Sequence, residues 1–257
     1  MTPKKILIAY QTLVYKELIR MFRIWPQTIM PPAITMALYF LIFGKLVGSQ
    51  LRPMDGFTYM QYIVPGLVMM SVITNSYIHT SSSFFSMKFQ RSIEELLISP
   101  MPNVIILLGF ITGAVVRVFV VGTIVLLIAL LFTHLTIHHV ALMFFSVLIT
   151  ALFFSTAGII NAIFARNFDD VSWVPSFVLT PLTYLGGVFF SINMLPPIWQ
   201  KIAMLNPILY VVDIFRYSLL GITETNIPIA LVILIVMTVC LFFYALQLIR
   251  TSSRLRN

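Results

Sequence analysis

Six apolar stretches, each long enough to cross a bilayer, occupy most of the 257 residues of this chain. In order they cover residues 26–44, 62–87, 104–132, 140–165, 171–192 and 228–249. An α-helix rises about 1.5 Å per residue, so about 20 residues cover the ~30 Å hydrocarbon core. Because an unpaired backbone amide costs several kcal/mol in lipid, such stretches must be helical. The sequence therefore predicts an all-α integral membrane protein with six transmembrane helices.

The composition supports a membrane protein and limits its other parts. Charged residues make up 9% of the chain and apolar residues 60%, whereas soluble domains hold about 25% charged residues. We expect a single membrane domain over residues 1–257, with no room for a large soluble domain. Although the net charge is +8, the basic residues flank the apolar stretches, so we expect membrane lipids and not nucleic acid as their partners.

The basic residues also predict an orientation. If both termini share one side, that side carries 11 of the 16 Lys and Arg residues. Cytoplasmic segments of membrane proteins carry such an excess of positive charge. We therefore expect the N and C termini to lie in the cytoplasm.

Residues 4–25 have the pattern of an amphipathic helix. Apolar residues recur at spacings of three and four, and basic residues occupy the opposite side, among them Lys16, Arg20 and Arg23. Such a helix lies in the membrane interface, where anionic lipids attract its basic face. Its role is either simple anchoring or contact with a cytosolic partner.

A second amphipathic helix is predicted between the second and third spans, over residues 87–99. Its apolar stripe contains Phe89, Ile93, Leu96 and Leu97, and Pro100 follows its end. The charged residues Arg91, Glu94 and Glu95 lie largely off this stripe, where i,i+3 and i,i+4 pairs contribute a few tenths of a kcal/mol. This segment is either a solvated loop helix or a contact surface for a partner.

Two further groups of charges lie close to the spans. Arg117 falls near the middle of the third span, where a charge costs about 2.5–3.5 kcal/mol; with no carboxylate at its depth, it either lines a hydrated cavity or reaches the inner interface. Asp169 and Asp170 follow the fourth span and begin the fifth, where acidic residues favour the helix dipole.

The segment 193–224 before the last span is apolar but interrupted. Asn206 and Pro207 form an N-cap and N1 pair, and Gly221 can end the helix that they begin. That helix of about 21 Å is too short to span the membrane. We therefore predict an external re-entrant hairpin, with Asp213 and Arg216 as a local ion pair that lets it dip into the membrane.

Motifs for other chemistry are not apparent. The chain contains no GxxxxGK[ST], HExxH or GxSxG sequence, and its one cysteine, Cys240, excludes an internal disulfide. We therefore predict no catalytic residue, no metal site and no cofactor bound by this chain. Two alternatives remain: an ion-coupled carrier, which usually needs a buried carboxylate, and an intramembrane lipid-modifying enzyme, which needs convergent nucleophiles or carboxylates.

The order of these elements resembles the permease subunit of ABC-2 type exporters. The resemblance covers essentially the whole chain and is carried by three stretches: FQRSIEELLISPMP, FDDVSWVPSFVLTPLTYLGGVFFSINMLPPIW and LNPILYVVDIFRYSLLGI. It implies a dimer of this chain in a bacterial inner membrane, paired with two copies of a cytosolic ABC ATP-binding subunit that holds ATP and Mg. The cargo would be a lipid, a glycan or a drug-like molecule.

The resemblance also implies roles for particular segments. Residues 88–100 would be the coupling helix that contacts the ATPase, through Phe89, Arg91, Glu94, Glu95, Leu96 and Pro100, and Asp169 and Asp170 would form a second cytosolic contact. Residues 4–25 would be the connecting helix, with Lys16, Arg20 and Arg23 on its basic face. Segment 193–224 would close the outer mouth, which makes Asp213 and Arg216 gate candidates and leaves Arg117 as the cargo-path candidate.

Overall fold

The computed structural model describes residues 2–48, 50, 54, 56–135 and 137–251. In this part of the chain the regular secondary structure is helical, and the extended residues Met54 and Phe57 form an isolated bridge. The all-α prediction is therefore confirmed for the described residues. Arg52, Arg254 and Arg256, which enter the charge count, lie outside them.

The helices follow the predicted apolar pattern closely. Their bounds are α1 (Pro3–Arg23), α2 (Trp25–Tyr39), α3 (Tyr59–Phe89), α4 (Ser92–Ile98), α5 (Asn103–Phe132), α6 (Val140–Phe164), α7 (Phe168–Val174), α8 (Thr180–Leu185), α9 (Pro197–Ala203), α10 (Pro207–Leu220) and α11 (Ile227–Thr251). A wider π-helical segment, Phe40–Val47, continues α2, and another, Pro175–Leu179, joins α7 to α8.

In the part of the chain that the structure describes, four helical segments are long and apolar enough to cross a membrane: Trp25–Gly44, Asn103–Phe132, Val140–Phe164 and Ile227–Thr251. A fifth is possible if α9 and α10, which meet at a bend of 86°, form one broken span. Helices occupy all six predicted stretches, but α3 carries a polar Ser, Thr, Asn and His series, and the α7–α8 segment is interrupted. The count of six crossings therefore stays a prediction.

Helix α3 is the central element of the bundle. It has 31 residues, begins with a capping box between Thr58 and Gln61, and packs against α5, α6 and α10. A helix of this length extends about 46 Å. Side chains near its first turn and its last turn therefore mark two distant ends of the molecule, which we call the Tyr62 end and the Phe89 end.

Two predicted boundaries are wrong. The fifth apolar stretch, 171–192, is helical only as far as Leu185, because Gly187 adopts a positive φ of 74° and turns the chain. The predicted helix 87–99 is divided, because α3 continues to Phe89 and α4 begins only at Ser92. By contrast, the Asn206 N-cap and the Gly221 end of α10 are confirmed.

Candidate functional site

The predicted coupling helix is a short element set off by a sharp turn. Arg91 has φ 59° and ψ 4°, the left-handed conformation that costs a non-glycine residue about 1–2 kcal/mol. Ile93 is 1% exposed and anchors α4 to the bundle, whereas Arg91 and Glu95 are exposed and Glu94 is partly so. Among the described ion pairs, none joins Arg91 to either glutamate. The charges of Arg91, Glu94 and Glu95 are therefore open to solvent, whereas Ile93 holds the backbone of α4 against the bundle.

Phe89, which the sequence analysis placed on the apolar stripe of a single helix, is the last residue of α3. Its side chain is 64% exposed, and its ring lies 5.3 Å from that of Phe168 at the start of α7. The Phe85 ring packs edge-on against the same Phe168 ring at 4.9 Å. Three phenylalanines thus join the end of α3, from which the chain enters α4, to the start of α7. We call the exposed residues of α4 and of the start of α7 the α4–α7 surface.

The acidic pair of that surface is fixed by the beginning of α7. The backbone N–H of Asp170 donates to the Asn167 side chain at 2.7 Å, and the Asp170 carboxylate accepts from the backbone N–H of Arg166 at 2.8 Å. Asp169 remains exposed. The Asn167 side chain thus satisfies an amide that the first helical turn leaves without a partner. Asn167 is the N-cap of α7, the Asp170 carboxylate is engaged with the preceding backbone, and Asp169 is the carboxylate open to a partner.

Lys88 holds the same surface together, although sequence reasoning gave it no role. Its Nζ donates to the carbonyls of Ile163 and Ala165, both at 2.7 Å, and to that of Ala162 at 3.3 Å. These are the last carbonyls of α6, where a cation also complements the helix dipole. The α3 end is thereby tied to the point where the chain leaves α6 for α7.

Helix α1 reaches the Phe89 end with a face that is only partly the predicted one. Its buried residues are Leu13, Glu17 and Met21, spaced by four. Of the apolar stripe that the sequence predicts, Met21 is buried, whereas Leu7 is 54% exposed. Gly109 and Gly113 of α5 face this row, and a Cβ at Gly113 would lie only 2.7 Å from that of Glu17. The GxxxG pair therefore accommodates α1, which sequence reasoning did not assign.

The predicted basic face of α1 is retained. Lys16 and Arg23 are exposed and Arg20 is partly exposed. Lys16 Nζ lies 3.5 Å from the sulfur of Met87 near the end of α3. The basic charge of α1 is thus presented close to the α4–α7 surface.

Glu17 is the carboxylate that the sequence analysis missed. It is 2% exposed, and its Oε2 accepts a hydrogen bond from Ser83 at 2.7 Å. Burial raises the pKa of this carboxyl, while the Ser83 hydrogen bond and the charges of Arg20 and Lys16 act in the opposite direction with smaller effect. The signal that could have revealed Glu17 was its spacing of four from both Leu13 and Met21.

A polar chain runs from Glu17 through His79 to Arg117. Glu17 Oε2 lies 3.5 Å from His79 Nε2, and Arg117 Nη1 lies 3.1 Å from His79 Nδ1. Arginine only donates hydrogen bonds, so Nδ1 must accept and the ring hydrogen must sit on Nε2, toward Glu17. Among the ion pairs of the described residues none includes Arg117, but the Glu17 carboxylate lies a single side chain away, beyond His79.

Arg117 borders a cavity of about 310 Å³ between α2, α3 and α5. The residues that line it are mostly polar or proline: Gln27, Thr28, Pro31, Pro32, Thr35, Met36, Met70, Ser71, Thr74, Asn75, Ile78 and Arg117. Of the two alternatives that the sequence left open for Arg117, this position favours the cavity.

The predicted ion pair between Asp213 and Arg216 is wrong. The Asp213 carboxylate, which is fully buried, accepts from the backbone amides of Glu224 and Thr225, both at 2.9 Å, and from the hydroxyl of Thr223. Arg216 instead donates to the carbonyl of Gly187. Although the two residues are three positions apart on α10, Asp213 binds the segment before α11 and Arg216 binds the turn after α8.

Glu224 connects these partners at the Tyr62 end. Its carboxylate accepts from the hydroxyl of Tyr62 at 2.5 Å and from the backbone amide of Ile192 at 2.9 Å, and it lies 3.9 Å from Arg216 Nη1. The Arg216 guanidinium also stacks over the Tyr62 ring at 4.2 Å. No sequence signal marked Glu224, because its partners come from α3, from α10 and from the turn after α8.

Comparisons with known proteins agree with this arrangement. Residues 8–220 match the family model described as "ABC-2 type transporter". The chain is 48% identical over 250 residues to the inner membrane transport permease YadH of Escherichia coli strain K12, covering 97% of this chain and 98% of that protein. It is 25% identical over 216 residues to nodulation protein J of Rhizobium leguminosarum bv. viciae, covering 83% of each.

These matches extend over the α1, α4 and α10 segments that carry the candidate sites. The family model covers most of the chain, and the relative with nearly half of its residues identical covers almost all of it. The predicted resemblance is thereby confirmed: the chain belongs to the ABC-2 type transporter family.

Proposed function

We propose that this chain is the permease subunit of an ABC-2 type exporter that moves a lipid, a glycan or a drug-like molecule across the bacterial inner membrane. The energy would come from ATP hydrolysed, with Mg, on a separate ABC ATP-binding subunit, and this chain would have no ATPase site of its own. The observation that supports the proposal is the clustering of α4, the start of α7 and the basic face of α1 at the Phe89 end.

In the proposed assembly, two copies of this chain pair in the membrane and each contacts one ATP-binding subunit. Six spans, with both termini in the cytoplasm, would place the Phe89 end in the cytosol and the Tyr62 end outside. The external segment 193–224 would then close the outer mouth, held by Asp213, Arg216 and Glu224. Membrane lipids would contact the exposed apolar side chains and the basic face of α1.

The contact with the ATPase is proposed to use the exposed residues of the surface that Phe89 and Phe168 join. Arg91, Glu94 and Glu95 would supply charge, Asp169 a second carboxylate, and Leu96 and Pro100 the adjoining apolar contact. Exposed charges at an interface chiefly determine which partner binds and how fast. Reversing them should therefore weaken association strongly without unfolding the bundle.

The test is copurification of the tagged chain from its own membrane, with mass spectrometry of the bound proteins. The doubly substituted Glu94→Lys, Glu95→Lys chain should lose an ABC ATP-binding subunit that accompanies the unaltered chain, and with it the ATP hydrolysis of the complex. The matched control is Lys201→Glu, a charge reversal on the exposed face of α9. Equal recovery of the ATPase and equal hydrolysis with the double variant would refute the assignment.

One observation favours the ion-coupled carrier as a second candidate. Glu17 is a buried carboxylate in contact with a histidine, which the sequence analysis did not expect inside the bundle. The two functions differ in their energy source. Transport into vesicles that requires ATP and persists when the proton gradient is abolished would exclude the carrier, whereas transport that requires only the gradient would exclude the exporter.

A further inference from the structure

The cavity between α2, α3 and α5 has a polar wall on the α2 side for which the double proline is responsible. Pro31 and Pro32 lie inside α2 and have no N–H groups. In an α-helix those N–H groups would bond the carbonyls four residues earlier, which belong to Gln27 and Thr28. Both residues line the cavity, and the backbone of this wall therefore contains two carbonyl oxygens that lack their usual helical partners.

The α3 wall offers further hydrogen-bonding groups. The Asn75 amide nitrogen donates to the Ser71 carbonyl at 3.0 Å, and the Thr74 hydroxyl donates to the Met70 carbonyl at 2.9 Å. Because these bonds use only donors, the Asn75 carbonyl oxygen and the lone pairs of the Thr74 hydroxyl stay available as acceptors. The α3 side can therefore receive hydroxyl or N–H groups from a ligand.

The α5 wall provides the positive charge. Arg117 Nη1 is engaged with His79, but the buried Nε atom has no hydrogen-bond partner among the described residues. A buried donor without a partner is unfavourable, and more so when it is charged. The guanidinium thus retains donor capacity for an anion, and charge-assisted bonds to phosphate or carboxylate are the strongest that it can make.

Glu17 and His79 restrict the position of the Arg117 guanidinium. Arg117 donates to His79 Nδ1, and the opposite ring nitrogen faces the carboxylate of Glu17, which Ser83 also fixes. A long, flexible side chain held at one nitrogen loses less entropy when it binds a ligand. The two residues are therefore positioning residues for Arg117, supplied by α3 and by the helix that precedes the bundle.

We propose that this cavity binds an anionic group that also carries hydroxyls, such as the phosphate and the neighbouring glycerol or sugar of a headgroup. Arg117 binds the anion, and the acceptors of Gln27, Thr28, Thr74 and Asn75 receive the hydroxyls. The volume of about 310 Å³ is at the lower end of the ~300–1,000 Å³ range of small-molecule pockets. The site deepens the proposed function, on which it rests for the identification of the bound group as cargo.

The test is native mass spectrometry of the purified full-length chain in detergent, with phosphatidylglycerol and phosphatidylcholine of the same acyl chains as probes. The unaltered chain should bind phosphatidylglycerol roughly tenfold more tightly than phosphatidylcholine, a difference of about 1.4 kcal/mol in binding free energy. Arg117→Leu should abolish this preference, and Glu17→Gln should reduce it. The control is Arg250→Leu, which removes an exposed charge at the end of α11 and should leave the preference intact.

A second variant keeps the test decisive if Arg117→Leu does not fold. Thr35 is exposed at the cavity lip, so Thr35→Phe narrows the cavity without disturbing the bundle and should also reduce the preference. Competition by inorganic phosphate that depends on Arg117 would assign the site to phosphate of either source, and its failure would assign it to the lipid headgroup. The proposal is overturned if folded Arg117→Leu or Thr35→Phe keeps the full preference.

This measurement needs no ATPase, so it separates the two proposals. An unaltered chain that recovers the ATPase normally but shows no preference for phosphatidylglycerol would refute the cavity site alone. Retention of the preference in a chain that never recovers an ATPase would refute the exporter and leave the site standing.

Discussion

Glu17 Oε2 and His79 Nε2 lie 3.5 Å apart in the interior of the protein, with both side chains at most 3% exposed. The contact joins α1, which the sequence places at the membrane surface, to the middle of α3. Through His79 it continues to Arg117 at the edge of the cavity. Helix α1 is thus connected, through one side chain of α3, to the charge that borders the cavity.

Glu17 predicts an unusual dependence of stability on pH. Because burial raises its pKa in the folded protein, the folded state favours the protonated carboxyl. Its contribution is therefore fully present below the unfolded pKa of about 4.5 and is lost as the pH rises through the raised value. Glu17→Gln, which stays neutral, should unfold at a higher temperature than the unaltered chain at pH 8.

The measurement is thermal unfolding in detergent across this pH range. The advantage of Glu17→Gln should shrink as the pH falls and disappear below about 4.5, where Glu17 is protonated in the folded and the unfolded chain. A constant difference between the two chains would contradict the assignment of the effect to Glu17 ionisation.

The packing of α1 against α5 can be tested at two glycines of α5. A Cβ at Gly113 would lie 2.7 Å from the Glu17 Cβ, whereas one at Gly122 would meet Val72 Cγ2 at an ordinary 3.4 Å. Overpacking typically costs about 1–3 kcal/mol. Gly113→Ala should therefore lower the unfolding temperature or release α1 to protease, and Gly122→Ala should do neither.

Substitutions at Arg91 can separate the effect of its backbone conformation on stability from the effect of its charge on ATPase binding. Glycine accepts φ 59° without steric cost, so Arg91→Gly should unfold at the same temperature or slightly higher, with a gain of up to about 1 kcal/mol. If the side chain contacts the ATPase, the same variant should recover less of it on copurification. Normal recovery with unchanged stability would remove Arg91 from the contact, and Arg91→Lys serves as the control that keeps the charge.

Glu224 should determine how tightly the Tyr62 end is closed. Glu224→Leu leaves Arg216 buried without its carboxylate, a loss that typically costs about 3–5 kcal/mol. In a Cys240→Ala background, a cysteine at Leu209, which is 1% exposed, should react slowly with a membrane-impermeant thiol reagent. Adding Glu224→Leu should raise that rate roughly tenfold or more, as local opening becomes easier.

The controls for this experiment come from the same regions. A cysteine at the exposed Gln50 should react fast in every background, given the proposed orientation. Asn226→Ala removes only an amide cap of α11, since its side chain accepts from the backbone of Ile229, and should leave the Leu209 rate unchanged. An unchanged rate in Glu224→Leu would show that the carboxylate does not hold this end closed.

The sequence by itself determined the class of protein and the position of its helices. Apolar length and the lack of backbone partners in lipid require helices, so the predicted stretches and the observed helices agree within a few residues, the fifth excepted. The caps at Asn206 and Gly221 were also readable, because capping depends on neighbouring residues alone. Apolar length and capping residues therefore predict helices and their ends, because both depend on residues that are close in sequence.

Only the tertiary structure decided which polar side chains meet. Asp213 and Arg216 are close in sequence and were predicted to be partners. In the structure Asp213 binds the loop at Thr223–Thr225, and Arg216 lies near the carboxylate of Glu224. Likewise Glu17 belongs to a helix whose pattern placed its charges outside, but the glycines of α5 open a path for it to His79. A buried charge needs a partner of the right geometry, and packing alone fixes which distant residue supplies it.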